Sequence, residues 1–173
     1  EHLEAGANHV SVQVLFTPHL APMTRGLLAT CHARPVLDGL STDRLLEEYA
    51  VHEASAERGP YLSYRGVLAE GLRGVARAHG RAVPAEVASR FSERVRDWPA
   101  FPDSAAALAR LQTRFRLGVI TNCDDDLFAA SNRRLGVEFD WVVTAQQAGG
   151  YKPRIANFEL AFERIDAPRE RIL

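Results

Sequence analysis

Lysine is almost absent from this sequence. Among the 21 basic residues in a chain of 173, Lys152 is the single lysine and the others are arginines. Coding composition explains a general preference for arginine, so the one retained lysine invites a chemical explanation. A lysine carries a compact charge that can approach a small anion, and arginine does not replace it there. Lys152 is therefore a candidate functional residue, and an ordinary surface lysine is the alternative.

Other absences exclude whole classes of protein. The formal net charge of -1 argues against nucleic acid as a partner. No apolar run approaches the ~20 residues that span a bilayer, which argues against a membrane protein. Residues 1–4 lack the basic start of a signal peptide. The two cysteines, Cys31 and Cys123, match no metal-binding spacing. We therefore expect a cytoplasmic protein with reduced thiols.

Hydrophobic periodicity divides the chain into three parts. Residues 1–40 form an atypical segment that contains a possible first core strand. Residues 41–97 contain three successive amphipathic helices with no strand between them, which predicts a separate helical unit. Residues 98–173 alternate between helices and strands, and this alternation predicts an α/β fold with a parallel sheet.

Residues 117–126 form the central stretch of the third part of the chain, residues 98–173. Its apolar half predicts a buried strand, and Thr121 and Asn122 follow at the end of that strand. The carboxyl ends of parallel strands form the edge of an open α/β sheet at which ligands bind. The acidic run Asp124–Asp125–Asp126 is more typical of a helix start than of a metal site, because carboxylates are favoured in the first helical turn.

Four segments of the chain occur together in a family-specific order and spacing. They read WPAFPD at 98–103, VITNCDDDLF at 119–128, GVEFDWVVTAQ at 136–146 and YKP at 151–153. In combination they resemble the haloacid dehalogenase (HAD) superfamily, and within it the type II 2-haloacid dehalogenase-like hydrolases. The resemblance covers roughly residues 43–173.

The resemblance implies a fold and a chemistry. The fold is a Rossmann-like core with a parallel sheet, with a helical cap formed by residues 41–97 and the core by residues 98–173. In the family's dehalogenases an aspartate attacks the carbon that bears the halogen, and water then hydrolyses the ester. The implied function is hydrolytic dehalogenation of a small anionic substrate without a cofactor. A Mg²⁺-dependent phosphatase of the same fold is an alternative.

Three residues match functional positions of the family. Thr121 matches the hydroxyl residue that hydrogen-bonds the substrate or the nucleophile, and Asn122 beside it is implied to bind the carboxylate of the substrate. Lys152 matches the lysine that keeps the nucleophile ionised and offsets negative charge in the transition state. The resemblance thus implies catalytic roles for Thr121 and Lys152 and a substrate-binding role for Asn122.

The chain departs from the family pattern at both ends of the core. The nucleophilic aspartate is expected near residues 15–18, but no Asp or Glu occurs between Glu4 and Asp38. The fourth motif would follow Leu173, so we expect a core that is incomplete at its C-terminus, with an exposed sheet edge and possible homodimerisation. We therefore expect impaired catalysis, and the alternative is a non-catalytic or truncated domain that keeps an anion pocket.

Overall fold

A computed structural model describes residues 14–19, 28–33, 41–168 and 172 of this protein, and for the first two ranges it describes the backbone. Strand β1 (Val14–His19) pairs with strand β2 (Leu28–Ala33) in an antiparallel sheet of two strands. This sheet is separate from the parallel sheet described below. Residues 15–18, where the family's nucleophile was expected, lie within β1. The assignment of residues 1–40 as a segment with a first core strand stays a prediction.

Three helices follow, as the sequence predicted. They are α1 (Thr42–Arg58), α2 (Tyr64–Ala78) and α3 (Ala85–Glu93), and a short 3₁₀ helix (Arg94–Asp97) follows α3. Serines begin two of the helices: the hydroxyl of Ser41 accepts a hydrogen bond from the amide of Arg44 at 3.2 Å, and that of Ser63 accepts one from Gly66 at 3.1 Å. These contacts satisfy first-turn amides that have no intrahelical acceptor.

Helices α1 and α2 pack closely because α2 has two glycines on the face toward α1. A Cβ atom at Gly71 would lie 2.8 Å from Cε2 of Tyr49, and one at Gly74 would lie 2.8 Å from Cβ of His52. The side chains of α1 thus occupy the space that a larger residue on α2 would fill. The missing Cβ atoms set the distance between the two helices.

The remaining elements alternate, which confirms the predicted parallel α/β arrangement. They are α4 (Ser104–Gln112), β3 (Gly118–Thr121), α5 (Asp125–Leu135), β4 (Trp141–Thr144), α6 (Ala145–Ala148) and α7 (Ile155–Arg164). Strands β3 and β4 are parallel. Helix α5 ends at Gly136, which has a φ of 66° in the left-handed region that favours glycine.

The largest apolar cluster joins the helical unit to the alternating part. Tyr64, Val67 and Leu68 of α2 pack in one cluster with Cys123, Leu127, Ala145 and Tyr151, and Val95 and Trp98 complete it. Val67, Leu127 and Ala145 have no exposed surface. One continuous apolar core therefore contains residues from both sides of position 97, where the sequence analysis separated the helical unit from the alternating part. The boundaries of the two units stay a prediction.

We predict that Gly74→Ala destabilises the protein. In a helix without close neighbours this change adds about 1 kcal/mol of stability, but here the new methyl group overlaps the side chain of His52. Overpacking of this kind costs about 1–3 kcal/mol, so the net effect should be a loss. Urea unfolding followed by circular dichroism measures it.

Gly118→Ala is the matched control, because its added methyl group would lie 3.7 Å from Cε3 of Trp141, an ordinary contact distance. A Gly74→Ala protein as stable as this control would contradict the close packing of α1 and α2.

Candidate functional site

The site predicted from the sequence lies where the two parallel strands end. Thr121 ends β3 and Thr144 ends β4, and the two residues face each other in the strand register. Lys152 lies in the loop between α6 and α7, which begins after Gly149 in the left-handed conformation. The loops that follow β3 and α6 meet at this edge of the sheet.

Asn122 and Lys152 are bound directly to each other. The amide of Lys152 donates to Oδ1 of Asn122 at 2.7 Å, and Nδ2 of Asn122 donates to the carbonyl of Lys152 at 3.4 Å. The Nζ of Lys152 donates to the carbonyl of Ile120 at 2.7 Å, one residue before Thr121. The structure therefore brings all three predicted residues together. It also shows that both polar atoms of the Asn122 side chain bind the backbone of Lys152, which lies in the loop between α6 and α7 (the lysine loop). The substrate-binding role of Asn122 stays a prediction.

Thr121 is the third residue of this arrangement. It is half-buried at the end of β3, and within the described part of the chain its hydroxyl has no hydrogen-bond partner. A hydroxyl in this position can donate to an anion or accept from a ligand. Its location is compatible with the predicted catalytic role, which stays a prediction.

The charge of Lys152 is balanced by a glutamate on α1. Burial lowers the pKa of Lys152, and the negative charge of Glu57 opposes that shift. In return, burial raises the pKa of Glu57, and Lys152 opposes that shift. The lysine is thus a half-buried cation whose ionisation is influenced by a carboxylate of the helical unit.

Sequence reasoning missed a second carboxylate, Glu53, one helical turn before Glu57. Burial, helped by the charge of Glu57, raises the pKa of Glu53 to about 7, and a hydrogen bond with Tyr64 opposes the shift. A Glu–Glu pair spaced by four residues shares one helix face, and this spacing is the signal that could have found it. Without knowledge of which face is buried, however, the same spacing also fits a solvated surface.

The three aspartates after β3 are all engaged by protein donors. Asp124 is 2% exposed and accepts hydrogen bonds from the amides of Tyr64 (2.8 Å) and Arg65 (3.2 Å). Asp125 accepts from the hydroxyl of Thr144 at 2.5 Å. Asp126 accepts from two nitrogens of Arg65 at 2.8 Å each, and these hydrogen bonds lower the pKa of Asp126 to about 2.

These contacts concern the alternative function named above, a Mg²⁺-dependent phosphatase. Helix α5 begins at Asp125, so the acidic run is a helix start, as expected. Carboxylates that are already paired with arginine and amide groups are poor ligands for Mg²⁺, which requires oxygen ligands in near-ideal octahedral geometry. Within the described ranges, no group of three or more His, Cys, Asp or Glu side chains could hold a metal ion. Each of the three aspartates after β3 is thus already engaged by other groups of the protein.

Comparison with solved structures identifies the fold. An L-2-haloacid dehalogenase matches with a TM-score of 0.60 and 22% identity over 73% of this chain. The L-2-haloacid dehalogenase from Xanthobacter autotrophicus with chloropropionic acid covalently bound matches with a TM-score of 0.63 and 18% identity over 73%. YfnB from Bacillus subtilis, assigned as a HAD-hydrolase and bound to magnesium, matches with a TM-score of 0.61 and 16% identity over 76%. No family model matches the sequence.

The chain therefore has the α/β fold of the haloacid dehalogenases, and the resemblance predicted from the sequence motifs is confirmed at the level of the fold. The match with this chain covers 57%, 54% and 60% of the lengths of these three structures. None of the helices in the described ranges has both the length and the apolar character that crossing a membrane requires.

We predict that Glu53→Gln stabilises the protein at alkaline pH. Because the pKa of Glu53 is raised to about 7 in the folded state, the folded protein binds more protons than the unfolded chain between about pH 4.5 and 7. The contribution of Glu53 to stability is thus fully present below about pH 4.5 and is lost as the pH rises through 7. Glutamine, which stays neutral, should gain up to about 3 kcal/mol relative to wild type at pH 8.

Urea unfolding of both proteins at pH 5 and pH 8 measures this difference. Glu47→Gln on the exposed side of the same helix is the control and should show no such pH-dependent gain. An equal gain at both pH values would mean that Glu53 is ionised in the folded protein at pH 5 as well as at pH 8.

Proposed function

We propose that this chain is a hydrolase domain of the haloacid dehalogenase type, and that its site binds a small organic anion between Thr121 and Lys152. One observation carries the proposal. Lys152, the single lysine of the chain, is tied by three hydrogen bonds to the end of the β3 strand, beside a hydroxyl that has no partner in the described part of the protein. A fixed cation and a hydroxyl donor at the carboxyl ends of parallel strands form an anion site.

The fold and the charge of the site support a proposal for the substrate class. The dehalogenase from Xanthobacter autotrophicus, which has the same fold, carries covalently bound chloropropionic acid. For the present chain we propose a small 2-haloacid, whose carboxylate would interact with Lys152 and Thr121. Lys152 would also stabilise the negative charge that develops as the halide leaves.

A second candidate is an anion-binding domain without turnover. Residues 15–18 in β1 contain no carboxylate, so this strand offers no group for the ester-forming step of the family. The three aspartates after β3 are each engaged by other protein groups and are poor substitutes. The two candidates share the pocket and differ only in the nucleophile.

Chloride release from 2-chloropropionate by the full chain distinguishes them. If the hydrolase proposal holds, chloride is released, and Lys152→Ala lowers the rate by about 100-fold, the effect of removing a group that stabilises transition-state charge. Lys152→Arg is the matched variant, because it keeps the charge but not the compact shape. Intact-mass measurement during turnover would detect the added mass of an ester intermediate.

Thermal-shift titration with 2-chloropropionate and its product lactate provides the second measurement. Binding that requires Lys152 without chloride release supports the anion-binding domain and contradicts the hydrolase. Absence of both binding and release would contradict both candidates. Release of phosphate from p-nitrophenyl phosphate that requires Mg²⁺ would instead support a phosphatase.

A further inference from the structure

We propose that Arg65 is a positioning residue: it fastens the helical unit α1–α3 to the loop that follows Thr121 and carries Asn122, and so holds the groups of the site in place. The proposal rests on the proposed function for the meaning of the site, but the contacts that carry it are independent of any substrate. They join three helices and one loop that are distant in sequence.

The guanidinium of Arg65 connects the helical unit to the end of the β3–α5 loop and to the first turn of α5. It donates to Asp124 at 3.3 Å and to both oxygens of Asp126 at 2.8 Å. It also donates to Glu93 of α3 at 2.5 and 3.2 Å. Arg96, in the 3₁₀ helix, pairs with both Asp126 and Glu93. A planar guanidinium can serve several carboxylates in this way, and lysine cannot reproduce the geometry.

The same loop caps helix α2. The buried carboxylate of Asp124 accepts from the amides of Tyr64 and Arg65, the first two residues of α2. First-turn amides lack intrahelical acceptors and carry partial positive charge. Asp124 therefore stabilises the start of α2 while Arg65, on that helix, neutralises Asp124. The contact is reciprocal, and breaking it leaves a buried carboxylate with fewer donors.

The residues between the site and this contact are few. Asn122 and Asp124 are separated by Cys123, and Asn122 holds the backbone of Lys152 at both its amide and its carbonyl. A displacement of Asp124 is thus transmitted over two residues to the groups that orient the lysine. Arg65 acts on Lys152 through this short segment, without contacting the proposed substrate.

Cys123 provides a native reporter of the contact. It is 8% exposed and packs in the apolar cluster with Tyr64, Val67 and Leu68 of α2. Because side chains of α2 cover it, we expect its thiol to react with a soluble reagent when α2 moves away from the loop. Burial, together with the neighbouring charge of Asp124, raises its pKa to about 12, which slows the reaction further in the closed state.

The experiment measures the rate at which a disulfide reagent modifies Cys123 in the full chain with Cys31→Ala. We expect Arg65→Ala to accelerate modification about tenfold, equivalent to about 1.4 kcal/mol in the opening equilibrium. Arg65→Lys should give a smaller increase. In the protein that keeps Arg65, about 1 M salt should also accelerate the reaction, since it reduces the screening length to about 3 Å.

Arg73→Ala is the matched control, because Arg73 lies on the same helix and pairs with Glu70 at 2.8 Å within that helix. The proposal is overturned if Arg65→Ala leaves the rate unchanged, or if Arg73→Ala raises it equally. It is also overturned if the acceleration equals the loss in global stability measured by urea unfolding, since the thiol would then react through complete unfolding. If Arg65→Ala does not fold, Arg65→Lys and the salt series decide the question. None of these measurements uses a substrate, so they are independent of the outcome of the chloride assay.

Discussion

The buried carboxylate of Asp124 is the constraint on which the rest of this structure depends. At 2% exposure it requires charged or polar partners, because an unpaired buried carboxylate is strongly destabilising. Those partners are supplied by α2, through the amides of Tyr64 and Arg65 and through the Arg65 side chain. The apolar cluster around Cys123 and Leu127 lies beside these contacts. The loop after β3 can therefore take this conformation only with the helical unit in place.

The lysine loop depends on the helical unit in a similar way. The hydroxyl of Tyr151 donates to the carbonyl of Leu62 at 2.7 Å, and the rings of Tyr151 and Tyr61 stack with centroids 5.8 Å apart. Arg154 donates to the carbonyl of Gly59 at 3.1 Å. Both loops of the candidate site thus contact the α1–α2 region, so the orientation of that region and the geometry of the site are set together.

Local patterns were sufficient to predict most of the helices and strands. Hydrophobic periodicity predicted α1, α2 and α3, and the apolar run before Thr121 predicted β3, because these signals lie within one turn or one strand. The proximity of Thr121, Asn122 and Lys152 followed from the motifs. Arg65 was not found, since an arginine that pairs with carboxylates about 60 residues away looks the same in sequence as any exposed arginine. The single-turn helix α6 (Ala145–Ala148) is too short to produce a periodic pattern.

The charges around Lys152 indicate how the site would treat an anion. Glu53, with a pKa raised to about 7, is largely neutral below that pH and becomes negative above it. The charges of Glu57 and Lys152 interact, so that each shifts the pKa of the other residue. Both carboxylates belong to α1, and Glu57 is the one whose negative charge acts on Lys152. The helical unit therefore contributes a carboxylate that acts on Lys152, and it also pairs with the start of α5 through Arg65. A carboxylate with a raised pKa is a weak nucleophile while it is protonated, so the raised pKa values of Glu53 and Glu57 argue against either of them as a replacement for the aspartate expected near residues 15–18.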